Sequence, residues 1–243
     1  MKKSLSLFAL LFVFAGSLFA QEAPTAEEIA KAYIENIGGA EAWKKVKNMK
    51  MSGTAAMQGM EFPLTVVTAA GDKMRYDVNL QGQMITQATN GDIAWQVMPF
   101  IGINEPTAMS AEEAADLKDQ NFLNEFIDYE ERGFKLESVE GKDIEGTKTL
   151  GVRVTNDEGV NRTYYFDPEF MIPVAMSTVG KSGQTKGVEL YTIMSDYGEV
   201  DGLMMPMYTE NKANGQTIMK TTAKKVEFNV EVDDTIFDLP KKQ

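Results

Sequence analysis

From Met49 onward the chain repeatedly alternates apolar and polar residues, and this constrains its fold more than any other feature. Met74, Tyr76, Val78 and Leu80 alternate with Lys73, Arg75, Asp77 and Asn79. Ile93, Trp95 and Val97 repeat the pattern, as do Leu150, Val152 and Val154, then Ile172, Val174 and Met176, and finally Ile218, Val226 and Phe228. A period of two places successive side chains on opposite faces of an extended strand. About a dozen such runs are separated by reversal signals such as Gln81-Gly82, Asn90-Gly91, Ser182-Gly183 and Asn214-Gly215. Connections this short join antiparallel neighbours. The pattern predicts a mainly β (α+β) fold: a large curved antiparallel sheet or barrel, with short helices covering the concave face.

Two stretches break the period. Thr25 and Glu28 form a capping-box pair ahead of Ala26, Ile29, Ala30, Tyr33 and Ile37, which fall on one helical face. Gly38-Gly39 ends that helix, and Ala40 to Lys47 predicts a second, shorter one. Ser110 and Glu113 form another capping pair. Leu117, Phe122, Leu123, Phe126 and Ile127 follow, and Gly133 closes the segment. This predicts one broken helix or two short ones with a phenylalanine-rich face.

The first residues are set apart from the fold. Lys2 and Lys3 precede an apolar run from Leu5 to Phe14, and a small residue, Ala20, follows. This is the form of a secretory signal peptide, expected to span residues 1–20 and to leave 21–243 as a single exported, soluble domain. The chain has no cysteine, so lipid anchoring at a cleavage-site cysteine, disulfides and thiolate-bound zinc are excluded.

The absence of histidine removes the commonest general base, the Ser-His triads and the usual metal ligand. Enzymatic chemistry would have to rest on carboxylate, Lys, Tyr or Ser groups. The adjacent pairs Glu112-Glu113, Glu130-Glu131 and Asp233-Asp234 are the default solvated faces of an acidic chain. A net charge of −12, made more negative by loss of the two leader lysines, opposes binding to nucleic acid or to anionic lipid. The chain has 16 methionines. Soft thioethers such as Met49, Met51, Met205 and Met207 can hold Cu(I), but no His or Cys supports them. No metal or other cofactor is expected. Methionine is also the adaptable filler of cores and of surfaces that take varied apolar partners.

Five ordered stretches resemble the outer-membrane lipoprotein-sorting proteins, the LolA-like periplasmic carrier superfamily. They are Tyr33-Ile34-Glu35-Asn36-Ile37-Gly38-Gly39 continuing to Trp43; Lys73-Met74-Arg75-Tyr76 with Asn90-Gly91-Asp92-Ile93-Ala94-Trp95; Tyr164-Tyr165-Phe166-Asp167-Pro168; Ser195-Asp196-Tyr197 with Asp201-Gly202-Leu203; and Phe237-Asp238-Leu239-Pro240. The resemblance implies an incomplete β-barrel, a half-barrel whose hydrophobic concavity, capped by helices, holds lipoprotein acyl chains, lipid or another apolar ligand. It further implies a periplasmic, non-enzymatic role in lipoprotein sorting, with envelope transport proteins as further partners. A monomer is expected.

The expected cavity residues are Met74, Tyr76, Val78, Trp95, Val97, Phe122, Phe126, Ile127, Met205 and Met207. For the aromatic members, closed core is the competing reading. In the family an arginine on the strand matching Arg75 reaches into the concavity and tethers the helical lid. Alternation, however, puts Arg75 opposite Met74 and Tyr76, so a solvent-facing arginine competes with that role. Two other functions compete with the carrier: an envelope interaction or scaffold domain with a filled core, and a carboxylate-dependent hydrolase.

Overall fold

A computed structural model describes residues 23–120 and 122–241; the expected signal peptide lies outside the described residues. Helix α1 (Ala26–Asn36) begins at the capping box, with Glu28 N donating to Thr25 Oγ1 at 3.2 Å and Thr25 N to Glu28 Oε2 at 2.9 Å. It buries Ala26, Ile29, Ala30 and Tyr33. Helix α2 (Ala40–Trp43) follows directly.

Strands β1 (Asn48–Met57), β2 (Met60–Ala69), β3 (Lys73–Leu80), β4 (Gln83–Thr89), β5 (Ala94–Met98) and β6 (Ile103–Ala108) form one half of a meander. Helix α3 (Ala111–Lys118) leads from it to β7 (Lys135–Val139), then to β10 (Leu150–Thr155), β11 (Asn161–Phe166), β12 (Pro173–Val179), β13 (Glu189–Val200), β14 (Leu203–Ala213) and β15 (Gln216–Phe228). A small separate hairpin, β8 (Asp143–Ile144) with β9 (Thr147–Lys148), lies between β7 and β10.

Thirteen strands form one antiparallel sheet in the order β6-β5-β4-β3-β2-β1-β15-β14-β13-β12-β11-β10-β7. The two halves are joined where β1 pairs with β15, Met49 opposite Phe228 and Met51 opposite Val226. The outer edges, β6 and β7, do not pair, so the curved sheet remains an open half-barrel. The period-two reading of the sequence is realised in this sheet.

The segment after α3 departs from the helical expectation. Residues 125–133 form successive turns. The Arg132 guanidinium donates to the carbonyls of Asn124 (2.7 Å), Ile127 (3.1 Å) and Leu123 (3.2 Å). A continuing helix would use those acceptors itself. Asp128, with φ 49°, breaks the right-handed path. Phe126 and Ile127 are nonetheless buried, at 3% and 1% exposure.

One face of the sheet carries the helical pieces. The α1 residues pack with Phe126, Phe134, Val152, Val154 and Phe166 in a buried cluster. The link from α1 to α2 docks on the β13–β14 reversal. Met204 N donates to the Ile37 carbonyl at 3.1 Å, and the backbone at Gly38 passes so close that a Cβ there would lie 2.4 Å from the Gly202 carbonyl oxygen. The opposite face is covered by the C-terminal turn, where Phe237 packs with Val67 and Ala69.

Candidate functional site

On the helix-covered face β1 contributes Met49, Met51, Ala55 and Met57, since alternate residues share a face. Registers extend that face to Leu64, Val66 and Thr68 on β2 and to Val78, Tyr76 and Met74 on β3. Ala55, Phe62, Leu64, Val66 and Val78 are buried there, with Met51, Met57, Met74, Tyr76, Leu80, Ile85 and Met219 packed around them and partly open. The Tyr76 hydroxyl donates to Met219 Sδ at 3.1 Å.

Towards the other half the face is overhung by the helices, and a cleft of 280 Å³ remains beneath them. Tyr33, Ile37 and Trp43 form its roof with Phe122 and Leu123. Its sheet side carries Met176, Met194, Tyr197, Met204 and Pro206, with Met49 at one end. A void of 30 Å³ adjoins it between Trp43, Met49, Phe122, Leu123 and Phe228. The roof is held by hydrogen bonds: Trp43 Nε1 donates to the Ile37 carbonyl (2.9 Å) and Asn124 Nδ2 to the Tyr33 hydroxyl (2.8 Å).

The far end of the cleft is charged. Arg162, on β11, pairs with Glu125 and also meets Asp119 Oδ2 at 2.9 Å and the Asp119 carbonyl. Lys181 Nζ contacts Asp119 at 3.0 Å from outside, and Tyr164 donates to Glu125 Oε2 at 2.8 Å. The side chains of Arg162 and Glu125 are 9% and 5% exposed, so this cluster is buried and internally neutral. Burial also raises the phenols: Tyr33 and Tyr76 are pushed up to about 12, and Tyr164 and Tyr197 higher still. They remain neutral near neutral pH and serve as no base.

The expected cavity residues separate. Met74, Tyr76 and Val78 lie on the covered face, and Phe122 borders both voids. Phe126 is buried in the α1 cluster, at the floor of a separate open groove of 530 Å³ lined with Lys31, Glu35 and Glu131, and Ile127 is buried near it. Met205 borders the cleft, whereas Met207 packs over Gly198. Trp95 and Val97 are on the other face, because the register runs Arg75, Ala88, Trp95 across three strands and pairs Thr86 with Val97. Trp95 Nε1 donates to the Phe237 carbonyl at 2.9 Å.

Arg75 shares that second face. It holds Asp77 at 2.7 and 3.1 Å, donates to the Ile236 carbonyl at 3.1 Å and lies 5.6 Å from the Trp95 ring centroid. It therefore fastens the C-terminal turn Asp234–Phe237, neither pointing freely to solvent nor touching the helical cover. The arginine that reaches the cover from the sheet is Arg162. The sequence signal that could have found it is the alternation Arg162, Tyr164, Phe166, which sets the arginine on a face with two aromatic residues.

The protein is thus an open antiparallel half-barrel with a helical roof over a methionine-bearing face. No family model matches the chain, and no curated protein matches it in sequence. Solved structures do match in fold, and the fold is the LolA-like one. A LolA superfamily protein from Nitrosomonas europaea superposes with a TM-score of 0.53 at 12% identity, over 88% of this chain and 98% of that one. A domain described as an outer membrane lipoprotein-sorting protein, from Vibrio parahaemolyticus, gives 0.54 at 8% identity, over 86% and 97%. A DUF1329 family protein from Desulfovibrio piger gives 0.56 at 8%, over 89% and 98%. At these identities the likeness is one of fold.

Proposed function

We propose that the protein is an exported carrier that holds an acyl chain, as lipid or as the lipid of a lipoprotein, against the methionine-rich face of the half-barrel. The observation that carries this reading is the unfilled cleft of 280 Å³ between the helical roof and Met176, Met194 and Met204, on the same sheet face as the partly open Met51, Met74 and Tyr76. Unbranched thioether side chains adapt to chains of different shape. Burial contributes about 25 cal/mol per Å² of apolar surface, offset by the entropy of ordering the ligand, which favours useful but reversible binding. Met74, Tyr76, Val78, Phe122 and Met205 belong to the proposed site, while Trp95 and Val97 support it from behind. The fold neighbours include a domain described as a lipoprotein-sorting protein, which agrees with this class of cargo and with a role in the periplasm.

Native mass spectrometry with lipid extraction tests the reading. The expected result is recovery of acyl lipid with the purified protein, and displacement of a fluorescent fatty acid from it. Failure of both would overturn the reading.

A further inference from the structure

One rim of the open sheet differs from the rest of the surface. In a meander, alternate reversals fall at the same end of the sheet. The reversals β14–β15, β1–β2, β3–β4 and β5–β6 are thus four neighbours along one rim. They and the strand ends beside them carry Met60, Met84, Phe100, Ile101 and Ile218, which are 46–69% exposed. Among the described residues, the other exposed large apolar side chains are Ile93 and Phe170, at the opposite end, and Val179, which flanks the next reversal along the rim, β12–β13, where Lys181 and Lys186 end the uncharged stretch.

The four reversals carry no charge. They read Gln58-Gly59, Gln81-Gly82-Gln83, Pro99 to Asn104, and Asn214-Gly215-Gln216-Thr217, in a chain that is 25% charged. Turn geometry does not impose this. At the opposite end Asp72 and Asp201 take the left-handed position (φ 54° and 51°) that Gln58 and Gln81 take here (φ 50° and 54°). Aspartate and asparagine suit that conformation through local hydrogen bonds, an advantage glutamine lacks. Glutamine stands where aspartate would make the better turn, and what it avoids is a charge.

An arc of apolar tips separated by neutral amides fits the interfacial layer of a lipid bilayer. There apolar side chains enter the acyl boundary and polar groups remain among the headgroups. The net charge of −12 directs the choice to neutral rather than anionic lipid. The covered face reaches this rim, since Met57, Leu80 and Met219 sit at the feet of the same reversals. We propose that the rim is a docking lip for a neutral phospholipid bilayer, set so that the concavity opens against the membrane. The lip rests on the composition of the rim and stands whatever cargo the concavity takes.

Flotation of the purified protein with phosphatidylcholine vesicles tests it. The unmodified protein is expected to float, and Phe100→Gln/Ile101→Gln to lose vesicle partitioning by about tenfold or more. Phe170→Gln, at the opposite end, should float as the unmodified protein does. The chain has no native cysteine, so a polarity-sensitive dye on Ile101→Cys should shift to the blue with vesicles while one on Phe170→Cys does not. The lip is overturned if the unmodified protein does not float, if Phe170→Gln weakens binding as much as the double variant, or if the two dyes respond alike. Uptake of a soluble fatty-acid probe without vesicles should be equal in the double variant and the parent. A parent that floats but takes up no probe and yields no co-purified acyl lipid would sink the cargo reading and leave the lip standing.

Discussion

The guanidinium of Arg162 is buried in an ion pair with the carboxylate of Glu125, and this pair joins strand β11 to the segment that roofs the cleft. Asp119 binds the same guanidinium, so two points of the roof depend on one side chain. Removing one partner of a buried pair leaves an uncompensated charge, at about 3–5 kcal/mol, whereas replacing both by apolar groups is often neutral. Arg162→Met should therefore lower unfolding stability by about that amount in urea titrations. Arg162→Met combined with Glu125→Leu should recover part of the loss. If the double variant is as unstable as the single, the pair is not the link described here.

The two faces of the sheet should respond differently to substitution. Met194→Phe places a larger, stiffer group at the cleft wall and should weaken fatty-acid probe binding by about tenfold with little loss of fold. Trp95→Phe, behind the sheet, loses the hydrogen bond to the Phe237 carbonyl, at about 0.5–1.5 kcal/mol of stability. It should leave probe affinity unchanged. Equal effects of both changes on affinity would mean that the two residues share one cavity, against the register.

That register shows what was legible in the sequence. The strand runs, both capping boxes and the open antiparallel sheet were written as periods and turn pairs. Alternation even separated Arg75 from Met74 and Tyr76. Alternation within a strand does not say which strand lies beside which, so Trp95 and Met74 looked equivalent until β3, β4 and β5 were set in register. The stretch Leu203-Met204-Met205-Pro206-Met207 posed the same problem. Its methionines divide between a cleft border at Met204 and Met205 and packing over Gly198 at Met207. Arg162 was hidden because its partners are distant in sequence: Asp119 caps the end of α3, and Glu125 opens a run of turns braced by Arg132 rather than by helical periodicity.

The response to pH follows from the buried phenols. Tyr33 is pushed up to about 12 by burial, against an ordinary value of 10.0. A group whose folded pKa is raised contributes stability that is complete below the unfolded value and is lost as pH climbs through the folded one. Stability should therefore fall between about pH 10 and 12. Tyr33→Phe should shrink that fall. With no histidine in the chain, no imidazole step should appear near pH 6.5. Chemical denaturation at stepped pH measures both; an unchanged alkaline limb in Tyr33→Phe would remove Tyr33 from the account.

The join between helices and sheet rests on Gly38. Its φ is +107°, and an added Cβ would fall 2.4 Å from the Gly202 carbonyl oxygen and 2.9 Å from Leu203 Cδ2. The first is a backbone atom, which cannot swing aside. Gly38→Ala must therefore lift the α1–α2 link from the β13–β14 reversal and stretch the bond from Met204 N to the Ile37 carbonyl. Strain of this kind costs about 1–3 kcal/mol. Gly39→Ala next door is the control: its φ is also positive, at +84°, but nothing lies within 4 Å of the added methyl. It should show the conformational cost without the clash. Thermal melts should place Gly38→Ala clearly below Gly39→Ala, and hydrogen exchange at Met204 should quicken only in the former. Equal melting points would mean that the link is not held by close contact at this reversal.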